Sequence, residues 1–369
     1  MEDQPVLDPL GALRVPGDPA TDVYLTGTVF LDIIFTGLDS APVRGTESWA
    51  RGMGSSPGGI ANMATALARL GLRTTLAAAF GDDMYGDYCW DSLQTGEGID
   101  LGLSRRVPGW HSPVTVSMAY EGERTMVSHG HRAPPPEDAV PACPPPARAA
   151  VAALGHHGHA GEETPDWIAD AAASGTKIFA DVGWDETGRW DPVDLEGLRH
   201  CTAFLPNAAE AMHYTRAATP HEAVRKLAEL VPLAVVTLGA EGACAVDSST
   251  GETAEVPALL VETLDPTGAG DVFVAGFVTG TLAGWPLADR LAFASLCAAL
   301  SVQEFGGSLS APGWIEIAGW WQQVKAYAGE VAVHREVLTR YAFLETLLPA
   351  GTRPWPLRRA VPTIGFRPA

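Results

Sequence analysis

Residues Asp265 to Phe277, DPTGAGDVFVAGF, combine a turn of small residues with an apolar run that follows it directly. Gly268, Ala269 and Gly270 allow the backbone to turn sharply and to approach a ligand, and Asp271 stands where the apolar run begins. The pattern predicts a loop that leads into the N-terminus of a helix. Because the first turn of a helix carries unpaired N–H groups and a partial positive charge, such a turn can bind a phosphate.

Asp271 has two interpretations beside this turn. As a general base, its carboxylate would accept the proton of a hydroxyl group that attacks a phosphorus atom, while the amides of residues 268–271 stabilise the transferred phosphoryl group. Alternatively, the Gly-Ala-Gly sequence permits close helix packing, and Asp271 caps the helix. This stretch alone leaves both interpretations open.

A second stretch, Ser55 to Gly71 (SSPGGIANMATALARLG), favours the phosphate-binding interpretation. It contains the pair Gly58 and Gly59, followed by Asn62 in the first turn of a predicted helix that Gly71 closes. The GGxxN pattern near the start and DPTGAGD late in the chain resemble the two signatures of the ribokinase-like (PfkB) carbohydrate kinases. The resemblance extends from about Asp22 to Lys325 and specifies the family but not the substrate.

The middle of the chain predicts the fold class directly. From Ala147 onward, short apolar runs alternate with helical patterns, which is typical of βαβ units and a mainly parallel sheet with helices on both faces. The runs and patterns are 149–154, 164–173, 177–182, 195–201 and 203–206. Together with the resemblance, they predict a three-layer α/β/α ribokinase-like fold with a small β-sheet lid.

We expect three parts along the chain. Residues 1–21 are rich in Pro, Asp and Gly and predict a poorly ordered arm, and residues 22–325 form the kinase domain. Residues 326–369 exceed the usual family length and read as a helical pattern followed by a Pro- and Arg-rich tail, for which we prefer packing on the protein to recognition of a partner.

The resemblance places the lid at about residues 36–51 and 112–128. Within the second segment, residues 113–127 alternate around Glu121-Gly122 as a hairpin would. A lid excludes water and so protects ATP from hydrolysis. Because the exposed face of such a sheet often pairs with a second subunit, a homodimer through the lid is expected.

Several polar residues are candidates for binding the substrate. Residues 23–35 form an apolar run that predicts a buried strand leading into a cleft, and Asp32 lies within it. By resemblance, Asp32 binds sugar hydroxyls together with Gly58, Gly59 and Asn62; the alternative is a capping or buried, hydrogen-bonded Asp32. Arg124 either binds substrate or phosphate from the lid or is an exposed charge on a turn.

Two histidine-rich segments, His129 to His131 and His156 to His159, each contain an HxH pair. Such pairs can ligate a transition metal, yet no Cys or carboxylate pattern supports a metal centre. The alternatives are cleft-lining residues and solvated loops. His157 is our candidate substrate contact, and histidines near a lid would suit an acidic or phosphorylated sugar.

The resemblance also indicates a nucleotide and metal site. Asn207 and Glu210 in PNAAE match the family's NxxE element, which holds the Mg²⁺ that accompanies ATP through its water shell. The same two residues also fit a helix N-cap with a capping box, and both roles can hold together. Two further sets match family elements: Thr237, Gly239 and Gly242 line the nucleotide, and Asp265, Gly306 and Ser310 form a monovalent cation (K⁺) site.

Composition limits the other classes of function. The chain has 369 residues, 46% of them hydrophobic, and a formal net charge of −20, which argues against nucleic acid or an anionic membrane as a partner. Its five cysteines are scattered without a CxxC pair, which is typical of core thiols in a reduced cytoplasm. Neither a signal peptide nor an apolar run of membrane-spanning length is visible, which fits the same location. No P-loop and no protein-kinase HRD or DFG motif is present.

We therefore expect an ATP-dependent kinase that phosphorylates a primary hydroxyl of a sugar or sugar-like small molecule. A nucleoside kinase is the alternative within enzymes, because the family includes adenosine kinases, and Trp49, Trp110 or Trp184 could then supply an apolar slot for the purine. A non-catalytic sugar- or nucleotide-binding protein on the same fold is the alternative outside enzymes. The intact Asp271 and PNAAE elements argue against that last reading.

Overall fold

The computed structural model describes residues 11–120, 123–131, 144–154, 166–185, 187–304, 306–326 and 332–348. The strands are β1 (Thr21–Thr26), β2 (Val29–Thr36), β3 (Gly52–Gly59), β4 (Thr74–Ala77), β5 (Ala79–Gly81), β6 (Arg105–Val107), β7 (Val114–Tyr120), β8 (Glu123–His129), β9 (Ala147–Leu154), β10 (Lys177–Val182), β11 (Ala203–Phe204), β12 (Leu233–Thr237), β13 (Ala243–Asp247) and β14 (Glu252–Val256). The α-helices are α1 (Ile60–Arg69), α2 (Met84–Asp91), α3 (Asp166–Ala173), α4 (Ala208–Thr215), α5 (Pro220–Leu227), α6 (Ala269–Leu282), α7 (Leu287–Ser301), α8 (Trp314–Ala326), α9 (Ala332–Arg340) and α10 (Leu344–Leu347).

Eight strands form the central sheet in the order β14-β13-β12-β11-β10-β9-β1-β4. The six strands from β12 to β4 run parallel, and β13 and β14 join antiparallel at one edge. This confirms the predicted mainly parallel sheet. Since the carboxyl ends of parallel strands meet at one edge, ligands are expected there.

Two helical layers cover the sheet, because its strands are apolar on both faces. Val23 and Leu25 of β1 pack into the cluster that also holds residues of α1, α6, α7 and α8, whereas Tyr24 between them packs into the cluster with α3, α4 and α5. The architecture is thus the expected three-layer α/β/α arrangement. Cys89, Cys201, Cys244 and Cys297 are buried as free thiols, and Cys143 lies outside the described residues.

The lid is a separate four-stranded sheet in the order β3-β2-β7-β8. The predicted single strand over residues 23–35 is wrong: the chain leaves the central sheet at Gly27 and Thr28, and β2 belongs to the lid. The first predicted lid segment, residues 36–51, is also misplaced, because residues 37–51 contain no strand. The lid strands β2 and β3 lie on either side of this segment. The predicted hairpin is confirmed by the antiparallel pairing of β7 and β8, while its turn residues 121 and 122 lie outside the described part.

The described segments that flank the predicted domain contact it. In the predicted poorly ordered arm, residues 11–13 form a 3₁₀ turn and Arg14 donates to Asp22 at 3.0 Å, whereas residues 1–10 lie outside the described part. In the extension, Tyr341 and Leu344 are fully buried in the core. The tail with Arg353, Arg358, Arg359 and Arg367 also lies outside the described residues. Among the described helices, none has the length and apolar character needed to cross a bilayer.

A buried ion pair connects α1 to the turn at 307–310. Arg69 contacts Glu97 through two hydrogen bonds of 3.0 and 2.7 Å, and the two side chains are 2% and 0% exposed. The same guanidinium donates to the carbonyls of Leu309 at 2.8 Å and Ala311 at 2.7 Å. The Arg69 side chain therefore holds α1 against a turn that lies 240 positions later in the sequence. The other end of α1 carries Asn62.

Arg69→Ala should destabilise the protein by about 3–5 kcal/mol, because it removes the guanidinium that neutralises the buried Glu97 carboxylate. The free energy of unfolding from denaturant titration measures this. Arg51→Ala is the control, since the Arg51–Asp39 pair is 57% and 84% exposed and should contribute about 1 kcal/mol or less. Equal losses for the two variants would contradict the assignment.

Asp22 is the second buried charge near the start of the domain. Its carboxylate is fully buried and accepts hydrogen bonds from Arg14 and Arg73. Burial raises the pKa of Asp22, but the hydrogen bonds from Arg73 and Arg14 outweigh it and lower the pKa from 3.8 to about 2. The carboxylate therefore stabilises the fold above the pKa of the unfolded chain.

Stability should fall as the pH drops from about 4 through about 2, by on the order of 2 kcal/mol from this group. Thermal denaturation of the wild type and Asp22→Asn across this range measures the contribution. The variant should be less stable at neutral pH and lose less on acidification. Asp39→Asn, which changes an exposed carboxylate, should keep the wild-type profile.

Candidate active site

The turn before α6 depends on the backbone conformation of Gly268. Gly268 precedes the helix in the left-handed region, with φ 78° and ψ 2°, where a side chain would be strained. A Cβ at Gly268 would also lie 3.2 Å from Cγ of Asn62. Ala269, Gly270 and Asp271 form the first turn of α6, and the Ala269 amide donates to the Pro266 carbonyl at 3.3 Å. Because the N-cap is a glycine, the alternative in which Asp271 caps the helix is wrong.

Asn62 and Asp271 join the first turns of two helices. The Nδ2 atom of Asn62 donates to Oδ2 of Asp271 at 3.0 Å. Asn62 is 5% exposed, and its Oδ1 has no hydrogen-bond partner among the described residues. The amide thus orients the Asp271 carboxylate and keeps one acceptor for a ligand.

Asp32 lies on β2 against the glycine pair that ends β3. A Cβ at Gly58 would collide with the Asp32 carboxylate, and one at Gly59 (φ 62°) would collide with the carbonyl oxygen of Thr28. Both positions therefore require glycine. Asp32 is 7% exposed. The structure thus brings Asp32, Gly58 and Gly59 to the end of α1 that carries Asn62, and from there to Asp271.

Three carboxylates share the carboxyl edge of the sheet. Asp181 lies at the end of β10, and its pKa is raised well above the ordinary value by burial and by the negative charges of Asp271 and Glu210. Burial also raises the pKa of Glu210, although hydrogen bonds from Asn207 oppose the change. The negative charges of Asp271 and Glu210 thus add to burial in opposing the ionisation of Asp181.

Asn207 and Glu210 form the capping box that the sequence allowed. The Glu210 amide donates to Oδ1 of Asn207 at 3.0 Å, and the Asn207 amide donates to Oε2 of Glu210 at 2.9 Å. Asn207 also bridges to Thr237 at the end of β12. Gly239 (φ 60°) begins the short 3₁₀ turn that Gly242 ends. At Gly242 (φ 113°) a Cβ would collide with the Val256 carbonyl. The predicted nucleotide-lining loop therefore lies beside the NxxE element.

Asp265 begins the late motif and is 1% exposed. Its Oδ1 accepts the Thr267 amide at 2.9 Å, whereas Oδ2 has no partner within the described part of the chain. Gly306 (φ 125°) opens the following 3₁₀ turn, in which the Ser310 hydroxyl donates to the Gly307 carbonyl at 2.6 Å. A Cβ at Gly307 would lie 3.7 Å from Cγ2 of Thr267, so this turn packs against the late motif.

The histidines are only partly placed. His157, with His156 and His159, lies outside the described residues, as does the side chain of Arg124, whose backbone pairs with Ala119 in the lid. His129 and His131 lie with His111, at ring separations of 5.2 to 6.1 Å. No cluster of three or more His, Cys, Asp or Glu side chains in the described ranges has metal-binding geometry.

Two of the three candidate tryptophans, Trp49 and Trp184, are too exposed to enclose a purine, whereas Trp110 is half-buried. Trp49 is 80% exposed in the segment between β2 and β3. Trp184 is 63% exposed and packs edge-on against Trp190, with 5.0 Å between ring centroids.

A cavity of about 550 Å³ lies at the other end of the central sheet. Its lining includes Arg148 and Lys177, at the amino ends of β9 and β10, together with Trp167. Ligands of parallel sheets bind at the carboxyl ends of the strands, so this cavity does not belong to the site.

Three polar residues on the lid beside Asp32 were not singled out from the sequence. Ser56, Thr115 and Ser128 lie directly across the lid strands from Asp32 and from one another. The alternation VTVSMAY in residues 114–120 shows that Thr115 and Ser117 share a face. It does not give the register that places Thr115 beside Asp32.

The geometry agrees with comparisons to known proteins. The family profile described as pfkB family carbohydrate kinase matches residues 21–314. A ribokinase of Bacillus subtilis is 27% identical over 300 residues, covering 79% of this chain and 96% of that protein. A nucleoside kinase of Methanothermobacter thermautotrophicus is 28% identical over 305 residues, covering 79% and 92%. Two other curated relatives match over only 43% and 53% of their own length.

A solved structure supports the fold independently. The structure of Arabidopsis thaliana ribokinase complexed with ribose and ATP has a TM-score of 0.65 at 22% identity, covering 82% of this chain and 98% of that one. At this identity the likeness concerns the fold alone. Together with the family match over most of the chain, it shows that this protein belongs to the pfkB family of carbohydrate kinases.

Proposed function

We propose that this protein transfers the terminal phosphoryl group of ATP to a primary hydroxyl of a sugar or sugar-like molecule. The observation that carries the proposal is the position of the Asp271 carboxylate. It lies in the first turn of α6, where phosphoryl oxygens can bind, and it is hydrogen-bonded to Asn62 beside the wall formed by Asp32 and Gly58. One carboxylate therefore contacts both the phosphate side and the acceptor side of the cleft.

In this proposal Asp271 accepts the proton of the attacking hydroxyl, an effect worth roughly 10²–10⁴ in rate. Asn62 holds the carboxylate in one orientation. The amides of residues 268–271 stabilise the charge on the transferred phosphoryl group, and each donor contributes about 10²–10³. Asp32, Gly58 and Gly59 bind the hydroxyls of the acceptor, and Arg124 and His157 remain proposed substrate contacts.

The acidic edge of the sheet fits Mg²⁺, which prefers oxygen ligands and retains water. Glu210 and Asn207 would hold the ion through its water shell, close to Asp181. When bound, the ion neutralises phosphate charge. Without a cation, the three carboxylates would repel the phosphates of ATP. A bound Mg²⁺ would be attracted to both sets of negative charges. Thr237, Gly239 and Gly242 would line the nucleotide.

A K⁺ ion is proposed at the late motif. The observation that fits a cation there is the buried Oδ2 of Asp265, which has no hydrogen-bond partner among the residues that the structure describes. Gly306 and Ser310 belong to the neighbouring turn and would contribute backbone carbonyls. Because Arg69 already holds the carbonyls of Leu309 and Ala311, the shape of this turn is fixed before an ion binds.

A homodimer through the lid also belongs to the proposal. On the lid face opposite to Asp32, the register aligns two apolar rows: Met53, Phe35 and Met118, and Ile33, Val116 and Val127. Val127 is 62% exposed and the others are half-buried, so a second copy would remove apolar surface from water.

The proposed location in the reduced cytoplasm rests on the scattered cysteines.

A nucleoside acceptor is the second candidate. The match to a nucleoside kinase over 92% of that protein supports it. The exposure of Trp49 and Trp184 weighs against it, since neither ring is placed to enclose a base.

Asp271→Asn should lower kcat by about 10²–10⁴ on the acceptor that the wild type uses, because the amide cannot accept the proton. ADP release with Mg²⁺-ATP across ketoses, aldoses, sugar acids, sugar phosphates and nucleosides measures this, and ATP binding should persist. Asp289→Asn, in the first turn of the neighbouring α7, is the matched control and should leave kcat unchanged. Turnover that survives in Asp271→Asn would overturn the mechanism.

Gly58→Ala should raise the KM for the acceptor at least tenfold, because the new methyl group displaces the Asp32 carboxylate. The KM for ATP should stay within about twofold of wild type. Gly319→Ala, in α8 with open space around the added Cβ, is the control. Steady-state kinetics with each substrate varied in turn measures both KM values. An equal rise in the KM for ATP and the KM for the acceptor would contradict a role of Gly58 in acceptor binding alone.

A further inference from the structure

A row of four polar residues crosses the lid from edge to edge. The register places Ser56 on β3 opposite Asp32 on β2, Asp32 opposite Thr115 on β7, and Thr115 opposite Ser128 on β8. Residues directly opposite on neighbouring strands share one face of a sheet. With strands about 4.8 Å apart, the row spans roughly 14 Å, which is longer than one sugar ring. We call these four residues the lid row.

The lid row faces the phosphate-binding motif. A Cβ at Gly307 would lie 3.1 Å from Oγ of Ser56, 3.5 Å from Cδ1 of Ile34 and 3.7 Å from Cγ2 of Thr267. Ile34 follows Asp32 by two residues on the same strand face. Thr267 directly precedes Gly268. The face that carries Asp32 is therefore the face turned toward the site.

The hydroxyls of the lid row have hydrogen-bonding capacity left over. Oγ1 of Thr115 and Oγ of Ser128 lie 2.9 Å apart, so one donates to the other and their remaining lone pairs and second proton stay available. Ser56 is 0% exposed, and its Oγ has no partner among the described residues. Buried hydroxyls are normally paired, so this face is built to bind polar groups.

The neighbouring row on this face is mixed: Ser117, which is 2% exposed, lies between Ile34 and Met126. On the opposite face, the two apolar rows described above also contain Ser55 and Thr125 at their ends. The lid row, in contrast, is polar along its whole length. A surface that binds a flat base needs apolar or aromatic groups, whereas the lid row offers a carboxylate followed by hydroxyls.

We propose that Thr115 and Ser128 form a specificity subsite that extends the Asp32 contact, so that the acceptor carries hydroxyl groups beyond a single vicinal pair. A free sugar or a sugar alcohol has this chemistry. A nucleoside does not, because its ribose offers only two secondary hydroxyls besides the one that is phosphorylated. The inference rests on the proposed function and narrows its acceptor class.

The test compares Thr115→Val, which removes the hydroxyl with little change in shape, and Ser128→Ala with the wild type. Removing a hydroxyl that binds substrate should raise the acceptor KM about tenfold, with kcat and the KM for ATP within about twofold. Thr115→Val should also lose the preference for the acceptor over its deoxy analogue. The double variant should show less than the product of the single effects, because the two hydroxyls share one hydrogen bond.

Thr125→Val is the matched control. Thr125 lies on the same strand as Ser128, opposite Met118 on the other face of the lid, and the change should leave the acceptor KM unaltered. Calorimetric titration of sugars and sugar alcohols with a non-hydrolysable ATP analogue gives a readout that does not require turnover.

The outcomes separate the inference from the proposed function. Tight acceptor binding that weakens about tenfold in Thr115→Val supports the subsite, even if the wild type turns over none of the panel. An active wild type whose acceptor KM and selectivity survive Thr115→Val retains the kinase and overturns the subsite. An acceptor that proves to be a nucleoside, or the absence of any binding by sugars and sugar alcohols, also overturns it.

Discussion

The hydrogen bond from Asn62 to Asp271 is the contact on which the candidate site depends. It joins the N-terminal turns of α1 and α6, two helices that the chain separates by 209 positions. In the proposed function each helix would bring a different half of the chemistry: α1 follows the lid strand that lies against Asp32, and the first turn of α6 would bind phosphate. At 3.0 Å the bond positions a charged group through a neutral amide, which orients the carboxylate without neutralising it.

The buried charged groups of the protein fall into two sets. Arg69 and Asp22 are compensated within the protein, each by several hydrogen bonds, and so stabilise the fold. Asp181 and Glu210 have raised pKa values because burial opposes their charge, and in Asp181 other carboxylates add to the effect. The Asn207 amide orients Glu210 and the Asn62 side chain orients Asp271, and in the proposed function a Mg²⁺ ion would supply positive charge beside them.

The sequence predicted most of the fold because the decisive signals are local. The parallel strands β9 and β10 are short apolar runs between turn residues, and the glycines at 58, 59 and 268 sit where only glycine fits. The division of residues 23–35 between two sheets could not be predicted, because apolarity is equally compatible with either sheet. Thr115 was missed for a related reason: alternation defines the face of a strand, whereas its neighbours depend on register. Asn207 and Glu210 satisfy a helix cap and a metal-site pattern with the same atoms, so residue types alone could not separate the two roles.

The junction between the lid and α1 has a mechanical consequence. Gly59 is the last residue of β3, Ile60 is the first residue of α1, and no loop separates them. The Ile60 amide donates to the Thr28 carbonyl at 3.1 Å, where the chain enters the lid from the central sheet, so the entry and exit of the β2–β3 pair are tied at one point. Asn62 lies in the first turn of α1, directly after this point. If the lid rotated about the junction, a large displacement at its far edge would become a small displacement of Asn62.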